Sequence, residues 1–445
     1  MSQKLHSVPL LAAGLLAAGC RASEPADAAA EEPAQRDAAS AVLTTSYRGR
    51  WGAGSDDHDA TETAILTAGD PATDKLTFHA MASAAMDLDG ADSDDDFVFY
   101  SLSDTYDSRL TGHLYHAYLD VHRQAGFDVL RAGRQVLYET PETVYLDGVR
   151  AETAPRGEHA WRAGAYGGVQ ALPYQSSRDG YYVLGGFAEI RPGETTRLRA
   201  DWLHADDDDP GDDADDLLAL KGDWQAAPRL SLEASTSRFV SEPRDARVAG
   251  RWFDAEGDLA VEARYYELLS PQKDLAVPLD PFYATLFDSF PYREAGISVG
   301  KGLGENWYLQ AGAELRRVVE DGDVGPFNRD FDRWFATASA EDVLPQEIAI
   351  SATAEVWDGS DERFDTWGLD LQRDFGEDWR ADLGSYFSLY KFDFYLDEEH
   401  EHVRTWYAGL RHQATRSLAL RVRYELEHDD EQDFQTVRVG MTWEL

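Results

Sequence analysis

The amino-acid sequence predicts an all-β protein, a transmembrane antiparallel up-and-down β-barrel of about 22 strands, or about 18–20 if some segments are loops or fold inward. Three observations carry this expectation. Apolar and polar residues alternate with period two from Val42 to Leu445, the pattern of strands with one apolar and one polar face. The mean hydropathy is −0.49, yet the 445 residues include 12 Trp, 21 Tyr and 19 Phe, a mixture that suits aromatic girdles around a polar interior. Connections also alternate between short turns and mostly longer, acidic loops, as they do at the two ends of an outer-membrane barrel.

The N-terminus reads as an export signal. Lys4 and His6 precede the apolar run Val8–Gly19, which is too short to cross a bilayer as a helix and suits a signal-peptide core. Cys20 follows Ala17, Ala18 and Gly19, an arrangement that resembles a lipoprotein cleavage box with Cys20 as the lipidated residue; ordinary cleavage nearby is the alternative. Residues 1–20 are thus assigned to the signal, 21–41 to a flexible acidic tether rich in Ala, Glu and Pro, and 42–445 to the barrel. No apolar stretch downstream is long enough for a transmembrane helix, so a closed barrel is the route into a membrane.

The first strand falls at Val42–Gly54, where Tyr47, Gly49 and Trp51 alternate with Ser46, Arg48 and Arg50. Ala60–Ala68 and Lys75–Asp87 follow, then the long loop Asp89–Leu110. His113–His122, Phe127–Tyr138, Thr143–Glu152, Trp161–Gln170, Gly180–Arg191 and Thr195–His204 keep the period. So do Asp216–Trp224, Arg229–Val240, Ala246–Phe253 and Leu259–Leu269. Ser270–Pro291 is an apolar, proline-bearing loop; with Asp89–Leu110 it is a candidate to fold into the lumen. Beyond it lie Glu294–Lys301, Trp307–Val318, Arg333–Ala340, Glu347–Trp357, Asp365–Arg373, Arg380–Tyr390 and Thr405–His412. The chain closes on the hairpin Ser417–Leu445, whose phase sets Leu420, Val422, Val439 and Met441 on lipid and Arg421, Arg423 and Arg438 on a lumen. Met441, Trp443 and Leu445 resemble an outer-membrane assembly signal.

The polar phase is too charged for a dry core and suits a water-filled lumen. It places Arg197, Arg199, Arg264, Arg316, Arg380, Arg411, Arg421, Arg423, Arg438, Tyr308 and Tyr386 on the pore wall. Arg411, Arg421, Arg423 and Arg438 lie on three successive strands with Arg380 nearby; clustered guanidinium groups attract carboxylate or phosphate solutes. The alternative for most of these arginines is bracing, by ion pairs with lumenal carboxylates.

The formal charge is −42, from 83 Asp and Glu against 41 Lys and Arg, which argues against nucleic acid as a partner. Acid concentrates in Asp92–Asp96, Asp206–Asp216, Asp397–Glu401 and Glu427–Asp433, which read as solvated loops, with Ca²⁺ binding as the alternative. One cysteine excludes a disulfide framework and a Cys-rich metal site; no cofactor or other metal is expected. His400-Glu401-His402 is not H-E-x-x-H, no nucleophile elbow or phosphate loop is present, and no enzyme is expected.

Residues 131–150 read RAGRQVLYETPETVYLDGVR. Gly133-Arg134-Gln135 on one strand and Asp147-Gly148-Val149-Arg150 on the next resemble the bacterial alginate-export porin family of outer-membrane barrels. The resemblance implies a passive diffusion channel with an arginine-lined constriction for an acidic saccharide or a smaller anion. The implied partners are outer-membrane lipid and a small-molecule or oligosaccharide solute. About 20 residues separate Cys20 from the first strand, which leaves no room for the plug of a TonB-type transporter. A wide, unplugged lumen also allows a second reading, a sheath for a periplasmic protein such as a cytochrome.

Overall fold

The computed structural model describes residues 39–52, 54–90, 99, 108–171, 182–206, 215–240, 242–270, 290–320, 329–344, 347–359, 363–393, 398–429 and 432–445. The signal, Cys20 and most of the tether lie outside this set. So do most of the loops Asp89–Leu110 and Ser270–Pro291.

The described chain forms one 22-stranded antiparallel sheet. Its strands are β1 (Ala39–Gly52), β2 (Ser55–Ala68), β3 (Leu76–Asp87), β4 (Leu110–Gln124), β5 (Phe127–Leu137), β6 (Val144–Thr153), β7 (Arg162–Gln170) and β8 (Tyr182–Gly193). Next come β9 (Thr196–Asp206), β10 (Asp215–Ala227), β11 (Leu230–Phe239), β12 (Pro243–Asp254), β13 (Leu259–Leu268), β14 (Tyr292–Leu303) and β15 (Trp307–Val318). The series ends with β16 (Phe331–Leu344), β17 (Ile348–Gly359), β18 (Arg363–Phe375), β19 (Trp379–Asp393), β20 (Glu398–Thr415), β21 (Leu418–His428) and β22 (Asp433–Glu444). Each strand pairs with its neighbour in sequence, and β22 pairs back to β1 from Val42↔Glu444 to Gly52↔Phe434. Closure removes the sheet edges, which a bilayer would leave without hydrogen-bond partners.

Strands run past the apolar segments that announce them. β20 spans Glu398–Thr415, although the alternation is clear only from Thr405 to His412. Pairing continues through Glu398, Glu399 and His400 because the ladder uses backbone groups, whatever the side chains carry.

Cross-strand register sorts the faces, since directly paired residues project to the same side. The row Leu43, Trp443 and Leu418 shares one face with Thr45, Met441 and Leu420. Leu198, Trp202, Leu218, Leu220, Ile297, Val299, Trp334, Trp367, Leu383 and Trp406 are likewise exposed on that outer face. This belt of aliphatic residues with tryptophans toward its ends is a lipid-facing surface. Glu62 interrupts it between Ala60 and Ala64, and its carboxylate accepts a hydrogen bond from Thr45 Oγ1.

The inner face is not wet throughout. Leu137, Val144, Leu146, Tyr166, Val183, Leu203, Ala205 and Leu217 form a buried apolar cluster, with Phe239 packed against it. Register places these residues on the lumenal side of the extracellular ends of β5–β11. A uniformly polar lumen, expected from the charged phase, therefore holds for the periplasmic half of this wall but not for the half above it.

Candidate functional site

Two rows of side chains define the inner wall where the chain closes. In the first, Asp374, Arg380, Arg411 and Arg421 are paired laterally across β18–β21. In the second, Asp382, Gly409, Arg423, Arg438, Arg48 and Asp59 follow one another across β19–β22, β1 and β2. Like charges placed directly opposite repel, so most of these arginines are held by acids. Arg380 Nε donates to Asp374 Oδ1 at 2.7 Å. Arg423 Nε donates to Glu425 Oε1 at 2.7 Å and its Nη1 to Asp382 Oδ2 at 3.4 Å. Arg438 bonds the other Glu425 oxygen, and Arg48 bonds Asp59. Arg50, one step higher, donates to Asp57 Oδ2 at 2.9 Å.

Arg411 and Arg421 differ. They face each other across β20–β21, both are exposed, and neither has a hydrogen bond or ion pair among the described residues. Two adjacent guanidinium forks in contact with lumen water are the part of the predicted cluster able to engage an anion. Arg423 and Arg438 serve the bracing role, and Arg48 and Arg50 join them, which sequence reasoning had not singled out.

Most of the opposite wall is braced; Arg247, exposed on the inner face of β12, has no acidic partner among the described residues. Arg197 Nε donates to Glu189 Oε2 at 2.8 Å, and Arg162 Nη2 reaches the same oxygen at 2.9 Å. Arg199 clasps Asp201, with Nη2 to Oδ1 at 2.7 Å. Arg264 pairs with Glu294 and Glu314, and Arg333 bridges Glu314 and Glu355. Arg316 stacks on Tyr292, its guanidinium carbon 3.7 Å from the ring centroid. Tyr308 leans over Gly300, and Tyr386 lies on the lumen face beside Tyr407, with ring centroids 6.1 Å apart. The pore-lining arginines and tyrosines expected from phase thus all face inward.

The turn between β5 and β6 lies across this lumen. Glu139 accepts a hydrogen bond from Arg199 Nη1 on β9 at 2.9 Å, and Glu142 pairs with Arg244 at the start of β12. Arg244 sits in a β-bulge, where Ser237 opposes Asp245 and Arg238 opposes Pro243. The extra residue re-aims the side chain inward. Both Arg244 and Glu142 are buried. Residues 138–143 therefore form a strap from β5–β6 to walls several strands away, roofing the apolar cluster.

The motif residues build the base of that strap. Gly133 and Gly148 face each other across β5–β6. Gly133 has φ +128°, and a Cβ there would lie 2.2 Å from the Ala117 carbonyl oxygen; a Cβ on Gly148 would lie 2.2 Å from that of Gly167. Gln135 is fully buried on the inner side and donates to the Gly148 carbonyl at 3.3 Å. Arg150 points inward to Glu152. Arg134 does not line the lumen: it shares the outer face with Ala132 and Val149 and makes a two-pronged pair with Asp147 at 2.8 and 2.6 Å. Of the two motif arginines, Arg150 therefore faces the lumen and Arg134 does not.

Of the acidic runs, Asp92–Asp96 lies outside the described residues, as does most of Asp206–Asp216. Among the described residues, three ligand-type side chains converge at Asp56, His58 and Asp89, on the outer extracellular rim and outside any predicted run. His58 Nε2 lies 3.0 Å from Asp56 Oδ2 and its Nδ1 lies 2.7 Å from the Tyr47 hydroxyl. Partial burial and a hydrogen bond with Asp87 hold the Asp89 carboxyl above the usual carboxylate range.

No family model matches the chain, and no curated protein does. Solved structures do. The siderophore receptor PirA from Pseudomonas aeruginosa aligns at a TM-score of 0.56 and 12% identity, covering 92% of this chain and 80% of that one. OccK3 (OpdO) from Pseudomonas aeruginosa aligns at 0.44 and 13% identity over 92% and 95% of the two chains. Acinetobacter baumannii OccAB4 aligns at 0.44 and 11% identity over 92% and 97%. The fold is that of a bacterial outer-membrane barrel. At such identities the likeness extends to architecture, and the side chains of the lumen must carry the functional argument.

Proposed function

We propose that this outer-membrane barrel is a passive diffusion channel for small anionic solutes, acidic sugars among them, and not an enzyme. One observation carries the reading: beside Arg380, Arg423, Arg438, Arg48 and Arg50, which are paired with acids, Arg411 and Arg421 stand opposite each other, exposed and without an acidic partner among the described residues. A guanidinium pair on a water-filled path raises the local concentration of anions and exchanges them quickly, because its field is partly screened by solvent. The acid that makes the net charge −42 includes a large share that is already committed to ion pairs or carried on the outer rim. The strap and the apolar cluster narrow the extracellular half, which favours small solutes over a docked protein and weighs against the sheath reading.

Liposome swelling tests this. Vesicles carrying the purified barrel should swell in isotonic galacturonate at least as fast as in galactose, a neutral sugar of similar size. Absence of swelling in either solution would contradict the diffusion channel and favour a sheath around a periplasmic partner.

A further inference from the structure

We propose that His79, Met81 and His116 form a copper site on the lumen wall, the metal bound as Cu⁺. His79 and Met81 are alternate residues of β3, and His116 and Tyr118 are alternate residues of β4. Register sets Met81 opposite His116 and His79 opposite Tyr118, with the β4 irregularity falling just beyond this square. All four are on the inner face, since Met81 also pairs with Ile65 and His79 with Thr67 in the phase of Asp57 and Asp59. They are half-buried and therefore reachable from the lumen.

The two imidazoles flank one ring. His79 lies 5.1 Å and His116 5.6 Å from Tyr118, centroid to centroid. Arg131 covers that ring from 3.7 Å, which fixes its position. Diagonal neighbours on adjacent strands are ~7–8 Å apart, a gap that two imidazoles close when they converge on one ion.

What marks the pair on the lumen wall is the state of its nitrogens; His412, whose Nδ1 is also without a partner, lies on the outer face against Trp379. His58, His113, His122, His204 and His428 each have a ring nitrogen in a hydrogen bond, with Tyr47, Thr111, Thr77, Asp216 and Asp433 respectively. His79 and His116 have ring contacts but no hydrogen bond among the described residues. Two uncommitted imidazoles beside a thioether suit copper in particular. Imidazole accepts copper, zinc and nickel alike, whereas the soft thioether selects Cu⁺ among them. No carboxylate joins the set; Asp120, one step along β4, is held by Arg131 at 2.7 Å. The fourth position would be left to lumen water.

The test uses the folded, tag-free barrel in detergent, titrated with Cu⁺ under ascorbate against a chromophoric chelator. One Cu⁺ per chain should bind. His79→Ala and His116→Ala should each weaken it at least tenfold, Met81→Leu should weaken Cu⁺ but leave Zn²⁺ affinity unchanged, and His122→Ala and Cys20→Ser should have no effect. Heat-modifiable gel mobility checks that each variant is folded. A Cu²⁺-loaded sample of the unaltered barrel should show coupling to two imidazole nitrogens by electron paramagnetic resonance. The proposal is overturned by no saturable binding, by a loss that tracks Cys20→Ser instead, by coupling to fewer than two nitrogens, or by Met81→Leu leaving Cu⁺ affinity unchanged.

Discussion

Gly133 shows how much one atom decides in this wall. Its φ of +128° and the 2.2 Å gap to the Ala117 carbonyl leave no place for a methyl group. Gly133→Ala should cost about 1–3 kcal/mol from the backbone conformation alone, before any overlap is counted. Gly193, where a Cβ would meet nothing within 4 Å, provides the contrast: Gly193→Ala should change stability by less than about 0.5 kcal/mol. Urea unfolding in lipid vesicles, followed by tryptophan fluorescence, measures both; equal stabilities would contradict the packing account. The need for glycine at 133 could be read in the sequence only as a motif. Its reason, the close approach of β4 to Gly133, matched by that of β7 to Gly148, appears once the register is known. The same holds for the arginines. Phase alone put Arg411, Arg421, Arg423 and Arg438 on one face. Which of them carries an acid depends on the lateral neighbours, and these follow from pairing across strands far apart in sequence.

At the level of elements, alternation was enough to find all 22 strands, because a membrane barrel exposes one apolar face to lipid along every strand. The strap was not legible. Nothing in the short stretch Tyr138–Thr143 distinguishes a turn left in solvent from one laid across a lumen. The signal lay elsewhere, in Val183, Leu203 and Leu217, apolar residues in a phase that is otherwise charged. Such residues need a cover, and Glu139 and Glu142 tie that cover down through Arg199 and Arg244. Breaking the buried Glu142–Arg244 pair by removing one partner costs about 3–5 kcal/mol, and the exposed Glu139 adds less. Glu139→Gln with Glu142→Gln should therefore release the strap and raise single-channel conductance, with the strand content by circular dichroism unchanged. An unaltered conductance would show that the strap does not limit the path.

For the whole molecule, charge is distributed by surface and not by sum. Acid dominates the composition, most lumenal arginines are paired with acids, and Arg411 and Arg421, facing each other across β20 and β21, present an unneutralised guanidinium pair. That separation lets a strongly acidic protein offer an anion-attracting path, since lumenal potential depends on charges within roughly a Debye length, about 10 Å at 0.1 M salt. The direct measurement is the zero-current potential of the reconstituted barrel across a tenfold KCl gradient in planar bilayers. The unaltered barrel should give the sign of a chloride-preferring pore, and Arg411→Gln with Arg421→Gln should move that potential toward zero or reverse it. A cation-preferring unaltered barrel, or a potential that the double substitution leaves in place, would contradict the assignment of selectivity to this arginine pair.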